Sequence, residues 1–214
     1  METRTANRLG LGLVALSFVV GALFYPFVPE RIVTHWGAGG QPNGTMSKLW
    51  GLFLLPVVSA LLLALFNGLP AVDPLGNNVE RFRGTYDEFV VLLLGFLLYL
   101  QLLLGLWNVG VRFQFVQALA PAYGALLYYA GVLMEHAERN WFVGIRTPWT
   151  LSNEGVWRKT HDRSATLFKL AGAVALLGVF VPGYALVLLV VPVLLAAGYA
   201  VVYSYVEYQR VAVP

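Results

Sequence analysis

Apolar positions along this chain fall in long, nearly uninterrupted runs, and polar residues are swept into the stretches between them. Six such runs can be read, at 9–28, 49–69, 89–107, 113–134, 165–181 and 183–206. Each is long enough to cross about 30 Å of hydrocarbon as a helix. Pro182-Gly183 must divide the last two, because about 42 continuous helical residues would reach about 63 Å. Pro56, Pro121 and Pro192 sit inside the second, fourth and sixth runs and predict kinks, which neighbouring helices make tolerable. Gln101 is the strongly polar residue of the third run, and Lys169 is close enough to the end of the fifth to snorkel. Ser17 and Ser59 read as helix-packing residues. The pattern predicts an all-α, polytopic membrane protein with six transmembrane helices.

Composition supports that reading. Of the 214 residues, 58% are hydrophobic and 12% charged, and the mean hydropathy is +0.69. A soluble domain carries about 25% charged residues, so a bilayer is the solvent that fits. The formal charge of +3 therefore reads as an inside-positive bias, not as affinity for nucleic acid. The first run lacks a small-residue cleavage site and reads as a span, not a signal peptide. Ten Lys and Arg residues fall on the face holding the N-terminus, the second-to-third loop, the fourth-to-fifth loop and the tail. Three, Arg31, Lys48 and Arg112, fall on the other. Both termini are thus expected in the cytoplasm of a multi-pass plasma-membrane protein.

Candidate chemistry narrows the classes further. There is no cysteine, hence no disulfide, thiolate site or cysteine nucleophile. The topology puts His35 outside and His136 and His161 inside, so the three histidines cannot share a metal. A smaller site from His136, His161, Glu135, Glu138 and Asp162 competes with a plainer reading, in which His161 donates a hydrogen bond and His136 is solvated. Every Asp and Glu lies outside the six runs, which disfavours an ion-coupled carrier. No paired catalytic groups or phosphate loop stand out. The expectation is no enzyme, no cofactor and no metal, with a small-solute permease or membrane-embedded enzyme as the alternative.

Two polar stretches carry the remaining signal. The outward one, 29–48, is rich in Gly and Pro and predicts a chain of turns, with Asn43-Gly44 as one turn. Asn43-Gly44-Thr45 is also a glycosylation triplet, a weak signal. The inward one, 138–163, reads ERNWFVGIRTPWTLSNEGVWRKTHDR. Pro148 forces Thr147 to be extended, and Arg146 to Trp149 are expected to follow as one extended piece. Ser152 is expected to cap a short helix with Glu154 in its first turn. On that helix Trp157, Thr160, His161 and Ser164 share a face, and Arg158 and Asp162 are spaced to pair. One reading is a belt of Trp and Arg at the headgroups.

The other reading rests on residue order. Asn140, Trp141, Gly144, Arg146, Thr147, Pro148, Trp149, Trp157, Thr160 and His161 resemble the signature of the SdpI family of multispanning membrane proteins. Pro29, Ile32, Thr34-His35-Trp36, Gly40, Pro42 and Gly44 are similar to a domain of unknown function that commonly precedes it. Asp73-Pro74, Asn78, Phe82 and Tyr86 look like its continuation, and Ala38-Gly39 look like an insertion. The resemblance implies immunity to a secreted peptide toxin. It also implies signal transduction by holding a cytoplasmic repressor at the membrane. His35, Trp36, Gly40 and Asn43 would then sense a ligand, Trp36 either packing or offering an aromatic face. Residues 140–161 would couple to the partner.

Two units are expected, 1–88 and 89–214, the second containing the 135–164 loop, folded as one body. The coupling segment, in a 135–164 stretch of net +1, is expected to pack on the loop with Asp73, Glu80, Asp87 and Glu88, net −2. Arg146 is expected to grip a carboxylate or carbonyls with two parallel bonds.

Overall fold

The computed structural model describes residues 1–37, 39–75 and 78–212, so Ala38 of the expected insertion and Asn77 lie outside the described residues. In order, the elements are α1 (Thr3–Phe24), β1 (Arg31–Trp36), β2 (Pro42–Ser47), α2 (Lys48–Gly68), α3 (Asn78–Arg81), α4 (Arg83–Asn108), α5 (Phe115–His136), α6 (Pro148–Ser152), α7 (Glu154–Leu176) and α8 (Ala185–Ala212). The long apolar runs become helices because in lipid each backbone group must be satisfied within its own segment. Five described helical segments are long and apolar enough to cross a membrane: Thr3–Phe24, Lys48–Val72, Arg83–Asn108, Phe115–His136 and Pro182–Val211. α7 is not among them, because its 23 residues begin inside the polar segment and only then turn apolar. The chain is thus an all-α, multi-pass membrane protein. Pro56, Pro121 and Pro192 lie inside α2, α5 and α8, as expected.

α7 packs antiparallel along the whole of α5, the most extensive contact between helices, and α8 lies on its other side. Small residues make the approach possible. A β-carbon on Gly131 would stand 2.6 Å from the Ala165 carbonyl oxygen, and one on Gly124 would stand 2.8 Å from that of Gly172. Without a hydrophobic force between helices in lipid, such close backbone packing is the main source of association. α1, α2 and α4 meet at Gln101, which is fully buried. Its amide donates to the carbonyls of Ser17 (2.9 Å) and Leu52 (3.0 Å), and its oxygen accepts from the Ser17 hydroxyl at 2.6 Å. The one polar side chain deep in α4 is therefore fully used as a joint.

The elements define two ends. At one end are the N-terminus, α3, the 137–153 segment and the last turns of α8. The Met1 amine binds Glu88 at 2.7 Å, and Lys159 at the start of α7 binds Glu207 near the end of α8. At the other end lie β1, β2, the α4–α5 turn and the 3-10 turn Pro182–Tyr184. The stretch expected to be only turns is in fact an antiparallel hairpin, with Arg31 opposite Ser47 and Trp36 opposite Pro42. The run Arg31-Ile32-Val33-Thr34 carries enough β-branched character to form a strand once Ile32 is buried in the notch left by Gly51.

Candidate functional site

The segment between α5 and α7 is built by its own polar residues. Asn140 is fully buried and uses all of its hydrogen-bonding capacity locally. Its oxygen accepts from the N–H groups of Phe142 (2.8 Å) and Val143 (2.7 Å), and its amide donates to the carbonyls of Glu138 (2.8 Å) and Val143 (3.1 Å). Gly144 then has φ +104°, and a β-carbon there would run into the His161 ring. That close approach lets the Ile145 N–H donate to His161 Nε2 at 2.9 Å. His161 Nδ1 must therefore carry the proton and donate to the Trp157 carbonyl at 2.8 Å. Burial pushes the imidazole pKa down to about 4, against the bond to the Trp157 carbonyl, which favours the charged form. The ring stays neutral at physiological pH.

Thr147 is extended (φ −91°, ψ 160°), as Pro148 requires, and it caps α6 in a reciprocal box with Thr150. Trp149 belongs to α6 and not to an extended piece, since Pro148 restricts the residue before it and is itself favoured at a helix start. Ser152 ends α6 and does not cap α7. That role falls to Asn153, whose side chain accepts from the Val156 N–H at 3.0 Å. Trp157, Thr160, His161 and Ser164 do share one face, and all four are buried. Trp157 stacks on His161 with ring centroids 3.9 Å apart and donates from Nε1 to the Ala137 carbonyl at 2.8 Å. Trp149 crosses to α8, donating to the Ser204 hydroxyl and meeting Tyr205 edge-on at 5.3 Å.

Arg146 departs from expectation. It is exposed and donates once, to the Trp141 carbonyl at 2.8 Å, because no carboxylate reaches it. Arg158 and Asp162 form no ion pair among the described residues. Both line a cavity of about 260 Å³ with Glu135, His136, Glu154 and His161. Among the described residues no group of three or more His, Asp or Glu is placed to hold a metal ion. Contact with the α2–α4 loop is made, but not by opposite net charges. Glu80 of α3 and Asp87 of α4 both bind Arg83 at the start of α4, and Glu88 binds the N-terminal amine and Tyr129. The ion pair that joins the two segments is Arg81–Glu138 at 3.0 Å, with the signs reversed. Beside it are the Asn78 amide on the Arg139 carbonyl, the Trp141 N–H on the Asp73 carboxylate at 3.4 Å, and an apolar cluster of Val79, Phe82, Ala137 and Trp157.

At the other end His35 and Asn43 are exposed and hydrogen-bond each other across the hairpin. Asn43-Gly44 lies in β2, and the turn is closed by the Gly37 N–H on the Gln41 carbonyl at 2.9 Å, with Gly40 at φ +74°. Trp36 faces inward, stacked on Phe115 at 3.7 Å and tilted against Trp107 at 6.0 Å. The Trp36 and Trp107 indole N–H groups are buried without an acceptor among the described residues. Beneath the hairpin is an apolar cavity of about 320 Å³, lined by Thr34, His35, Trp50, Leu104 and Phe115 among others. Sequence reasoning missed Asn108. Its amide pairs with β1 at Val33, accepting from N–H at 2.8 Å and donating to C=O at 2.9 Å, and so pins the hairpin to α4. Its position at the end of an apolar run was the available signal.

A multi-pass helical bundle with a self-bonded polar segment at one end and a hairpin at the other is the class defined so far. Comparison with known proteins gives the particular kind. Residues 12–60 match the domain of unknown function DUF1648, and residues 136–204 match the SdpI/YfhL protein family. The chain is 28% identical over 205 residues to "Immunity protein SdpI" of Bacillus subtilis (strain 168), covering 95% of this chain and 96% of that one. It is also 36% identical over 54 residues to "Uncharacterized membrane protein YbgB" of the same organism, covering 25% of this chain and 59% of that one. No solved structure matches. The resemblance carried by the motif thus has its counterpart in the comparisons: this multi-pass plasma-membrane protein is similar to the SdpI/YfhL family over 136–204 and to DUF1648 over 12–60. The DUF1648 match ends before Asp73, Asn78, Phe82 and Tyr86, and the SdpI match opens at the 137–153 segment.

Proposed function

We propose that this protein confers immunity to a secreted peptide toxin and passes the toxin's presence to the cytoplasm by holding a repressor at the membrane. The observation that carries the reading is the likeness to an immunity protein along nearly the whole of both chains. In this reading all six long helices cross the membrane, including α7, which runs beside α5 for its full length. The ten-to-three basic asymmetry puts both termini inside. Residues 1–88 and 89–214 act as one body, which the shared apolar cluster from Leu63 to Trp157 favours.

The hairpin faces outward. His35 and Asn43 offer polar contacts, Gly40 shapes the turn, and Trp36 stacks on Phe115, which lines the apolar cavity beneath. A peptide with an apolar side chain for the cavity and hydrogen-bonding groups for the exposed His35 and Asn43 fits that end. On the inner end Asn140, Gly144, Thr147, Pro148, Trp149, Trp157, Thr160 and His161 set the shape of the coupling surface. Trp141 and Arg146, both exposed, present it. The role is binding, not catalysis, and no nucleic acid is bound directly. The test is survival of toxin-exposed cells with and without the chain. Protection lost on His35→Ala at normal membrane abundance supports sensing by the hairpin. Absence of protection by the unaltered chain against its cognate secreted peptide overturns the reading.

A further inference from the structure

The outer faces of α7 and α8, far from the proposed sensing surface and bordering the coupling surface at Lys159, form a groove that changes character along its length. At the basic end it is polar, about 490 Å³, with Lys159, Asp162 and Arg163 on one wall and Tyr203, Glu207 and Arg210 on the other. One helical turn deeper it becomes apolar, about 430 Å³, between Leu167, Leu170 and Val174 of α7 and Pro192, Leu195 and Tyr199 of α8. The two parts abut. The Arg163 guanidinium lies 4.9 Å from the Tyr203 ring and 3.5 Å from the Tyr199 hydroxyl, and the two tyrosines stack at 5.6 Å. Leu170 and Leu195 are 57% and 69% exposed, so in a bilayer this part of the groove is open to hydrocarbon.

We infer that this groove is a binding site for one anionic phospholipid. Its phosphate would lie at Arg163, Lys159 and Arg210, and an acyl chain along Leu170 and Leu195. Charge supports the assignment. Glu207 is buried and holds both Lys159 and Arg210, so two cations are fixed in place and still have donors to spare. Three cations against Asp162 and Glu207 leave the polar part with a net charge of +1, and among the described residues Arg163 meets tyrosine rings and hydroxyls and no carboxylate. A phosphodiester supplies the missing anion, and a guanidinium is the group suited to grip it. The polar-to-apolar order along the groove matches the order of headgroup and chain in a leaflet. Pro192, which interrupts the hydrogen-bond ladder of α8, sits at the deep end.

The proposal is independent of toxin immunity and is tested on purified full-length chain. Thermal unfolding in a neutral detergent is followed as phosphatidylglycerol, phosphatidylcholine or soluble glycerol phosphate is added, and native mass spectrometry counts bound lipids. The expected result is a melting rise that saturates with phosphatidylglycerol at one bound lipid. Arg163→Gln should bind about tenfold more weakly, the cost of one charge-assisted contact. Leu195→Trp, which fills the apolar part, should lose binding while keeping its melting temperature without lipid. Equal responses to the two lipids, an equal response to glycerol phosphate, or unchanged affinity in both variants would overturn it. So would a second copy of this chain occupying the groove, seen as a dimer that phosphatidylglycerol does not dissociate.

Discussion

Gly144 and His161 depend on each other, and neither role was visible as such in the sequence. A β-carbon at residue 144 would face both a positive φ and the imidazole ring. Gly144→Ala is expected to unseat the Ile145–His161 bond and destabilise the chain by about 3 kcal/mol or more. Thermal melting and protease resistance of the 137–153 segment check it. His161 makes a second expectation. Its folded pKa, about 4, lies below the ordinary 6.5, so between these values the unfolded chain binds more protons than the folded one. Stability is then present in full above about pH 6.5 and declines as pH falls toward 4, by about 3 kcal/mol in total. Unfolding measured from pH 7.5 to 4 should show that slope, and His161→Gln should flatten it. The sequence showed that Trp157, Thr160, His161 and Ser164 share a face. It could not show which nitrogen of His161 is protonated, because a loop residue sixteen positions away decides it.

At the scale of elements, apolar length was a sufficient guide to the helices, and polar stretches were not. The helices are set by a condition every residue obeys, internal hydrogen bonding in lipid, so the apolar runs locate them, while α1, α4, α7 and α8 extend well over a turn beyond their runs into polar sequence. The hairpin instead depends on Ile32 finding the notch at Gly51 and on Asn108 pairing with Val33, contacts that no local pattern encodes. The same holds for the 137–153 segment, where charge suggested docking and local polar bonds do the work. Asn140→Ala removes an acceptor of two N–H groups and a donor to two carbonyls in a buried place. It is expected to cost about 2–4 kcal/mol and to open the segment to protease. Arg146→Lys should leave protease resistance unchanged, since an ammonium can also reach the Trp141 carbonyl. If Arg146→Lys is instead as susceptible as Asn140→Ala, the exposed arginine holds the segment in a way its single bond does not explain.

Across the whole molecule, the two polar stretches that stood out in the sequence occupy opposite ends of one bundle. The N-terminus, the 137–153 segment and the end of α8 are tied together by Met1–Glu88, Arg81–Glu138 and Lys159–Glu207, so they share one side of any membrane. A bundle whose two chain ends lie together has an even number of crossings. Five apolar helices alone would put them apart, and in the proposed six-helix arrangement α7 restores parity. Its polar first turns stay at the interface, where Lys169 still reaches Glu135 of α5, while its apolar remainder continues beside α5. Labelling of single cysteines in intact cells tests this arrangement, and no native cysteine interferes. A cysteine at Gly39 is expected to react with a membrane-impermeant reagent, while cysteines at Ser152 and Gln209 react only after the membrane is opened. Reaction at Ser152 from outside would invert the orientation. Protection at Ser152 with reaction at Gln209 would leave α7 or α8 uncrossed, yet Trp149 bonded to Ser204 fixes those two positions at one end. That last outcome therefore requires the α6–α8 contact itself to be wrong, which Trp149→Phe melting would decide separately.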